Sequence, residues 1–221
     1  MGDNQLKNIL LLDTIGEKTI VGFFDGKKLH MKTLRKASSN KLHSAISKLV
    51  SNFDIRISDL RSIGALAGPG SFTGVRIGVT IANALAYALK IPIFATDSLT
   101  AQVPLETNKT SPKRSPTSRD VRSRTSDSAK FLEADQYHTI TLPASHSEVY
   151  SAKFKNGKMV GKIELIPKAE AEHCSVSTKS NYRVKNLLDL ILSDKIKPQK
   201  QILPLYIKKP NITTSNKKTK K

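Results

Sequence analysis

The stretch Gly68-Pro69-Gly70-Ser71-Phe72-Thr73-Gly74-Val75-Arg76-Ile77-Gly78 decides how this chain is read. It follows a short apolar run, residues 62–67, and opens a segment, residues 73–90, rich in Val, Ile, Ala and Leu. Proline fixes one dihedral, glycines permit positive ones, and Ser71 or Thr73 can cap a helix, so the stretch predicts strand, tight turn and helix. Amides at such a helix start can hold an anion, which makes Gly68, Gly70, Ser71 and Thr73 a candidate nucleotide or anion loop, with Asp13 as the acid beside it. The plainer use of the turn is to close a helix onto its sheet. It is not a P-loop, because no lysine follows the glycines at the required spacing.

Working outward, residues 7–14, 19–24 and 28–34 read as a three-stranded meander. Residues 39–53 place apolar side chains at 42, 45, 46, 49, 50 and 53, one face of a helix with Ser38 or Ser39 as cap. Past Pro92 a further strand covers 93–96. Three strands, helix, strand, helix, strand is the α/β element order of the first lobe of an actin-like, sugar-kinase-like or chaperone-like fold (ASKHA, ribonuclease H-like), an order that α/β folds of unrelated origin also show. The helix after the glycine turn carries two apolar stripes, Val75, Val79, Ala82, Ala86 and Leu89 on one side and Ile77, Ile81, Leu85 and Ala88 on the other. A helix apolar on two sides has to be covered on two sides. One cover is its own sheet; the other is either the 39–53 helix or a partner chain.

Beyond residue 103 the pattern changes. Residues 107–130 are dominated by Ser, Thr, Pro, Arg and Lys, too polar to offset the entropy of ordering, and are expected to form a flexible insertion. Strands resume at 138–142, 148–154 and 158–166, the last two joined through Asn156-Gly157, and a helix is expected at 184–192. The division is an actin-like lobe at 1–103, a basic insertion at 104–136, a reduced second lobe at 137–207 and a basic tail at 208–221.

The net charge of +19 is concentrated rather than spread. Residues 195–221 hold nine lysines and no acid, and residues 107–130 hold seven bases against Asp120 and Asp127. The body of the chain is therefore no basic DNA-reading surface. A single cysteine, Cys174, excludes an internal disulfide framework, and apolar runs such as 9–12 are too short to cross a bilayer. No leader pattern opens the chain, and a cytoplasmic protein is expected.

At this point the sequence resembles the TsaB family, also called YeaZ. The resemblance rests on Ile9-Leu10-Leu11-Leu12-Asp13-Thr14, on His43-Ser44, on residues 68–78 and on Ile91-Pro92 and Ser98-Leu99, with weaker support from Glu148-Val149-Tyr150 and Pro204-Leu205-Tyr206-Ile207-Lys208. It implies an actin-like lobe with a reduced second lobe, and a non-catalytic scaffold that pairs with TsaD. TsaD transfers threonylcarbamoyl to the adenosine beside the anticodon of tRNAs reading codons that begin with A, and the small ATPase TsaE supports the pair. The resemblance also implies that the helices at 39–53 and 73–90 form much of the TsaD contact. On that basis Val75, Val79 and Ala82, with Phe72 and Arg76, are the expected partner-facing residues, and Leu42, Ile46 and Leu49 a second set. Contact with tRNA is expected indirectly or through the basic insertion and tail, a homodimer of the free chain is an option the sequence leaves open, and ATP is expected to serve the complex rather than a cofactor site here. Where the family carries Asp-Ala-Arg, this chain has Pro143-Ala144-Ser145.

Catalytic signals are sparse. An actin-like ATPase needs acids and hydroxyls from both lobes around magnesium and nucleotide, and Asp13 is the one candidate; a strand-end residue serving nearby amides is its plainer role. Histidines 30, 43, 138, 146 and 173 never fall at metal-ligand spacing. Cys174 beside His173 is no catalytic pair, and Ser71 lacks the Gly-x-Ser-x-Gly frame. The competing readings are a stand-alone actin-like ATPase or small-molecule kinase and a basic tRNA-binding module.

Overall fold

The computed structural model describes residues 7–35, 38–103, 137–173 and 180–208. The whole of the expected insertion at 104–136, Cys174 and the tail beyond Lys208 lie outside the described residues. The first unit is a five-stranded sheet built from β1 (Ile9–Asp13), β2 (Lys18–Phe24), β3 (Leu29–Arg35), β4 (Ser62–Leu66) and β5 (Ile93–Thr96), in the order β3-β2-β1-β4-β5. β1, β4 and β5 run parallel, and β2 and β3 return antiparallel. Leu11 lies opposite Gly22 on one side and Gly64 on the other. The continuous apolar run of β1 is that of a central strand buried on both faces, and all five of its residues are buried.

Helix α1 (Ser39–Ser51) lies against β2, and α2 (Phe72–Leu89) against β4, β1 and β5. The opposite face is taken by α3 (Ser180–Leu192), which sets Val184 against Gly22 and Leu187 and Ile191 against Gly64. The second unit is an antiparallel sheet of β6 (Tyr137–Pro143), β7 (Glu148–Lys155) and β8 (Lys158–Pro167). Its inner face, Ile140, Tyr150, Ala152 and Phe154, packs on Leu99 and Val103.

The sequence places residues 137–207 together in the second lobe, but α3 and the segment after it join the first sheet. Val184, Leu187, Leu188, Ile191 and Ile202 belong to the same core as β1, β2 and β4. Residues 198–208 form an extended strap. Gln199 bridges Ile93 at the β5 edge, Asn83 of α2 clasps both the amide and the carbonyl of Ile202 at 3.0 and 2.8 Å, and the Leu205 amide donates to Ala67 O at 2.7 Å. Lys208 then pairs with Glu148 at the start of β7.

Burial corrects six of the expected partner-facing residues. Leu42, Ile46 and Leu49 of α1 and Val75, Val79 and Ala82 of α2 are all core, none more than 6% exposed. The reason is geometric: α1 turns its single apolar stripe to the sheet, and α2 turns the Val75 stripe. Phe72 and Arg76 stay at the surface. One membrane expectation also shifts, because α2 is long and apolar enough by length and composition to cross a bilayer. Here it lies along a sheet.

Candidate functional site

The glycine turn sits where β1 and β4 end and α2 begins. Ser71 caps the helix, its Oγ accepting from the Gly74 amide at 3.3 Å, while its own amide donates to Ile15 O at 2.8 Å. The spacing Gly70, Gly74, Gly78 puts three bare positions along one edge of α2, and the Thr14-Ile15 turn fills the space. A Cβ on Gly74 would stand 2.0 Å from Thr14 O, and one on Gly78 2.2 Å from Thr14 Oγ1. Thr14 Oγ1 donates to Gly74 O at 2.7 Å. The Ser98 amide and hydroxyl reach Gly68 O and Pro69 O and anchor the turn from below. The glycines thus serve close packing of helix on strand end, and the helix start is met by the carbonyl of Ile15.

Asp13 closes β1 beside this turn and is fully buried. Its Oδ1 accepts from the Ile15 amide at 3.2 Å, which is the strand-end role read from sequence. Its Oδ2 accepts from Arg183 Nε at 2.9 Å and stands 2.8 Å from Arg183 Nη2, and Arg183 is only 3% exposed. Burial pushes the Asp13 carboxyl up from its usual range, and the guanidinium and the Ile15 amide pull it back. The acid that an actin-like phosphate site would turn toward a metal is thereby matched with an internal cation. Arg183 lies 170 positions away in sequence, and nothing in its local sequence announces the role. Of the candidate loop, Gly70 and Ser71 meet Ile15, two residues beyond Asp13, Gly68 packs against Val75 and the Leu205 carbonyl, and Thr73 is exposed.

The outer face of α2 is the other notable surface. Thr73, Arg76, Thr80, Ala84, Tyr87 and Ala88 are exposed, and Ile77 and Ile81 flank them half-buried. Arg76 is the sole charged side chain of an 18-residue helix, and Tyr87 is 88% exposed. At the helix start the Arg76 guanidinium lies 4.9 Å from the Phe72 ring, which packs on Tyr206 of the strap at 4.7 Å. At its end an open cleft of about 720 Å³ runs between Tyr87, Lys90 and Ile91 and the strap residues Pro198, Gln199 and Lys200. Surface helices of soluble domains ordinarily carry charge on the outer side, and this one carries Thr, Ala, Ile and Tyr.

The remaining expected positions are placed as follows. His43 and Ser44 are exposed on α1. In the β6–β7 turn the Ala144 and Ser145 amides both donate to Glu148 O at 3.0 Å, and Ser145 Oγ donates to Glu148 Oε2 at 3.0 Å. Among the described residues no group of three or more His, Cys, Asp or Glu is placed to hold a metal ion.

Comparison with known proteins adds the following. Residues 32–118 match the family model described as TsaD: tRNA N6-adenosine threonylcarbamoyltransferase. The tRNA threonylcarbamoyladenosine biosynthesis protein TsaB of Bacillus subtilis is 47% identical over 66 residues, 30% of this chain and 29% of that protein. The protein of the same name from Buchnera aphidicola is 34% identical over 93 residues, 41% of this chain and 44% of that one. The matches thus span less than half the length of these relatives. In three dimensions the chain superposes on YeaZ from Pseudomonas aeruginosa with a TM-score of 0.59 at 19% identity, over 91% of this chain and all of the other, which carries the actin-like fold across most of its length.

Proposed function

We propose that this chain, which belongs to the TsaB (YeaZ) family by sequence over part of its length and by fold over most of it, acts in tRNA threonylcarbamoyladenosine biosynthesis as the non-catalytic partner of TsaD. The observation that carries the partner role is the outer face of α2, an exposed helix surface from Thr73 to Ala88 with Arg76 as its one charge. Such a surface is stable in water only at the cost of leaving apolar side chains wet, and a partner helix relieves that cost. Phe72, Arg76 and Tyr206 form a stacked edge to it, and aromatic and arginine side chains are the residues that most often anchor interfaces. The Asp13–Arg183 pair supports a chain without its own nucleotide chemistry, because magnesium would have to displace a buried guanidinium. TsaE and ATP then belong to the assembled complex, and the same α2 face is the one a homodimer of the free chain would use.

The test is a pull-down with TsaD beside thermal melts of Thr80→Arg and Ala84→Arg. Both positions are exposed, so the melts are expected to stay parental. An unpaired charge buried at the interface is expected to weaken association by about a hundredfold or more. Parental binding by Ala84→Arg with a parental melt refutes this face.

A further inference from the structure

We propose that the open edge of β3 takes up an extended acidic segment of a partner protein as an added strand of the first sheet. β3 is the outermost strand on the side away from β5, and among the described residues it pairs only with β2. Every second residue of such an edge aims its N–H and C=O outward. Among the described residues no backbone group from outside the sheet bonds to residues 29–35. The covers of the sheet define the two sides of the strand. Gly22 faces Val184 of α3 together with Leu29, and Met31 stands opposite Gly22, so Leu29, Met31, Thr33 and Arg35 share the α3 side. The His30 ring lies 4.1 Å from that of Phe53, just past α1, which puts His30, Lys32 and Leu34 on the α1 side. Met31, at 43%, is exposed, as are Lys32, Thr33 and Arg35.

Charge selects the occupant. The strand and the turn before it carry Lys27, Lys28, Lys32 and Arg35, and Lys18 stands directly opposite Arg35, a like-charge pair that weakens a sheet. None of these cations is in an ion pair among the described residues. The acids of the region are few. Asp25 is held by the Lys27 and Lys28 amides and the His30 ring, Glu17 precedes Lys18, and Asp54 follows Phe53. Lysines ordinarily guard an edge against other strands, and here they repel a second copy, which would set like charge against like. A strand with carboxylates at the facing positions reverses that sign. The two sides dictate its pattern: an apolar residue opposite Met31 on the α3 side, an acid opposite Lys32 on the α1 side, and an acid opposite Arg35. Main-chain bonds then supply affinity and the alternate side chains specificity. A nucleic acid would use the lysines and leave the outward amides and Met31 without a role. Because β3 and β5 are opposite edges of the sheet, the proposal stands whether or not TsaD occupies the α2 face.

The test uses the full chain and the labelled peptide Glu-Val-Thr-Glu-Val-Thr-Val-Glu, which in antiparallel register sets its acids against Arg35, Lys32 and Lys28 and a valine against Met31. One comparator replaces each Glu by Lys; the other replaces each Val by Pro, which keeps the charge and prevents strand pairing. The parent peptide is expected to bind about tenfold or more tighter than either. Lys32→Glu/Arg35→Glu, at exposed positions, is expected to melt like the parent and to lose about tenfold or more affinity. Lys217→Gln/Lys218→Gln/Lys220→Gln in the tail is expected to change it by less than about twofold. Bound peptide is expected to slow hydrogen exchange at alternate amides of residues 29–35 and not at those of β8, an edge strand of the other sheet. No measurable binding, equal affinity for the proline peptide, or equal losses in the edge and tail variants overturn the proposal. So does binding without added protection in 29–35, or an edge variant that loses a single-stranded RNA while the parent ignores the peptide. If the edge variant does not melt cooperatively, hydrogen exchange on the parent chain decides.

Discussion

Replacing Arg183 by Met removes the cation from a pair in which Asp13 is 0% and Arg183 3% exposed. Met keeps much of the aliphatic stem, so the loss is mainly the charge partner of a buried carboxylate. Breaking such a pair by deleting one member costs about 3–5 kcal/mol, whereas replacing both members costs little. Asp13→Asn/Arg183→Met should therefore recover most of the loss, with a coupling energy of roughly 2–4 kcal/mol in the double-mutant cycle. Against a total stability of about 5–15 kcal/mol, urea melts resolve this easily. The deficit also has a pH signature. Without Arg183 only burial and the Ile15 amide act on Asp13, so its folded pKa rises further above the unfolded value of about 3.9. The folded state then binds more protons than the unfolded state, and stability falls as pH climbs from about 4 through the folded pKa. Arg183→Met should thus be nearly parental at acid pH and weakest at neutral pH. A deficit equal at pH 4.5 and pH 7.5, or a double variant no more stable than Arg183→Met, refutes this account of the pair.

Other outcomes follow from the packing. Val79→Asp, in the core at 4% exposed, should fail to fold, while Ala84→Asp five positions on should melt like the parent; circular dichroism separates the two. Gly74→Ala forces a Cβ against Thr14 O and should cost about 1–3 kcal/mol or more in a chemical melt. Asn83→Ala removes both hydrogen bonds to Ile202 and should cost about 1–3 kcal/mol, with faster proteolysis within 198–205 under native conditions. Asp25, whose pKa the Lys28 amide, His30 and the Lys27 amide lower to about 2, should stabilise the β2–β3 turn by under about 1 kcal/mol because it is solvent-screened. Its folded pKa lies below the unfolded one, so the difference between parent and Asp25→Ala should be present above about pH 4 and vanish as pH falls toward about 2.

The periodic elements were legible because their signals are local. β1, α1 and α2 fall within a residue or two of their expected bounds, and Asn156-Gly157 takes the left-handed turn that its sequence demands, with φ of 50° and 73°. The orientation of α2 was not settled, since both stripes are apolar and pattern alone weighs them equally. A signal was present in Gly70, Gly74 and Gly78, whose helical spacing marks the edge that meets another backbone and adjoins the Val75 stripe. The partner of Asp13 was out of reach, because pairing across 170 residues leaves no periodic trace. The return of α3 to the first sheet escaped for the same reason: chain order suggested the second lobe, and contacts such as Val184 against Gly22 and Leu187 and Ile191 against Gly64 show otherwise.

That return has a consequence for how the protein is made. One face of the first sheet waits for α3, and the β5 edge and α2 wait for the strap, both encoded well downstream of β5. Between completion of β5 and arrival of α3 the ribosome adds roughly 80–100 residues, about 5–20 s of synthesis. Throughout that interval Leu11 and its neighbours on the α3 side have no cover, and Asp13 has no counter-charge. The nascent lobe is therefore an unfinished object that cannot settle in the order in which it emerges, and its early life depends on whatever shields a hydrophobic sheet until α3 and the strap have emerged.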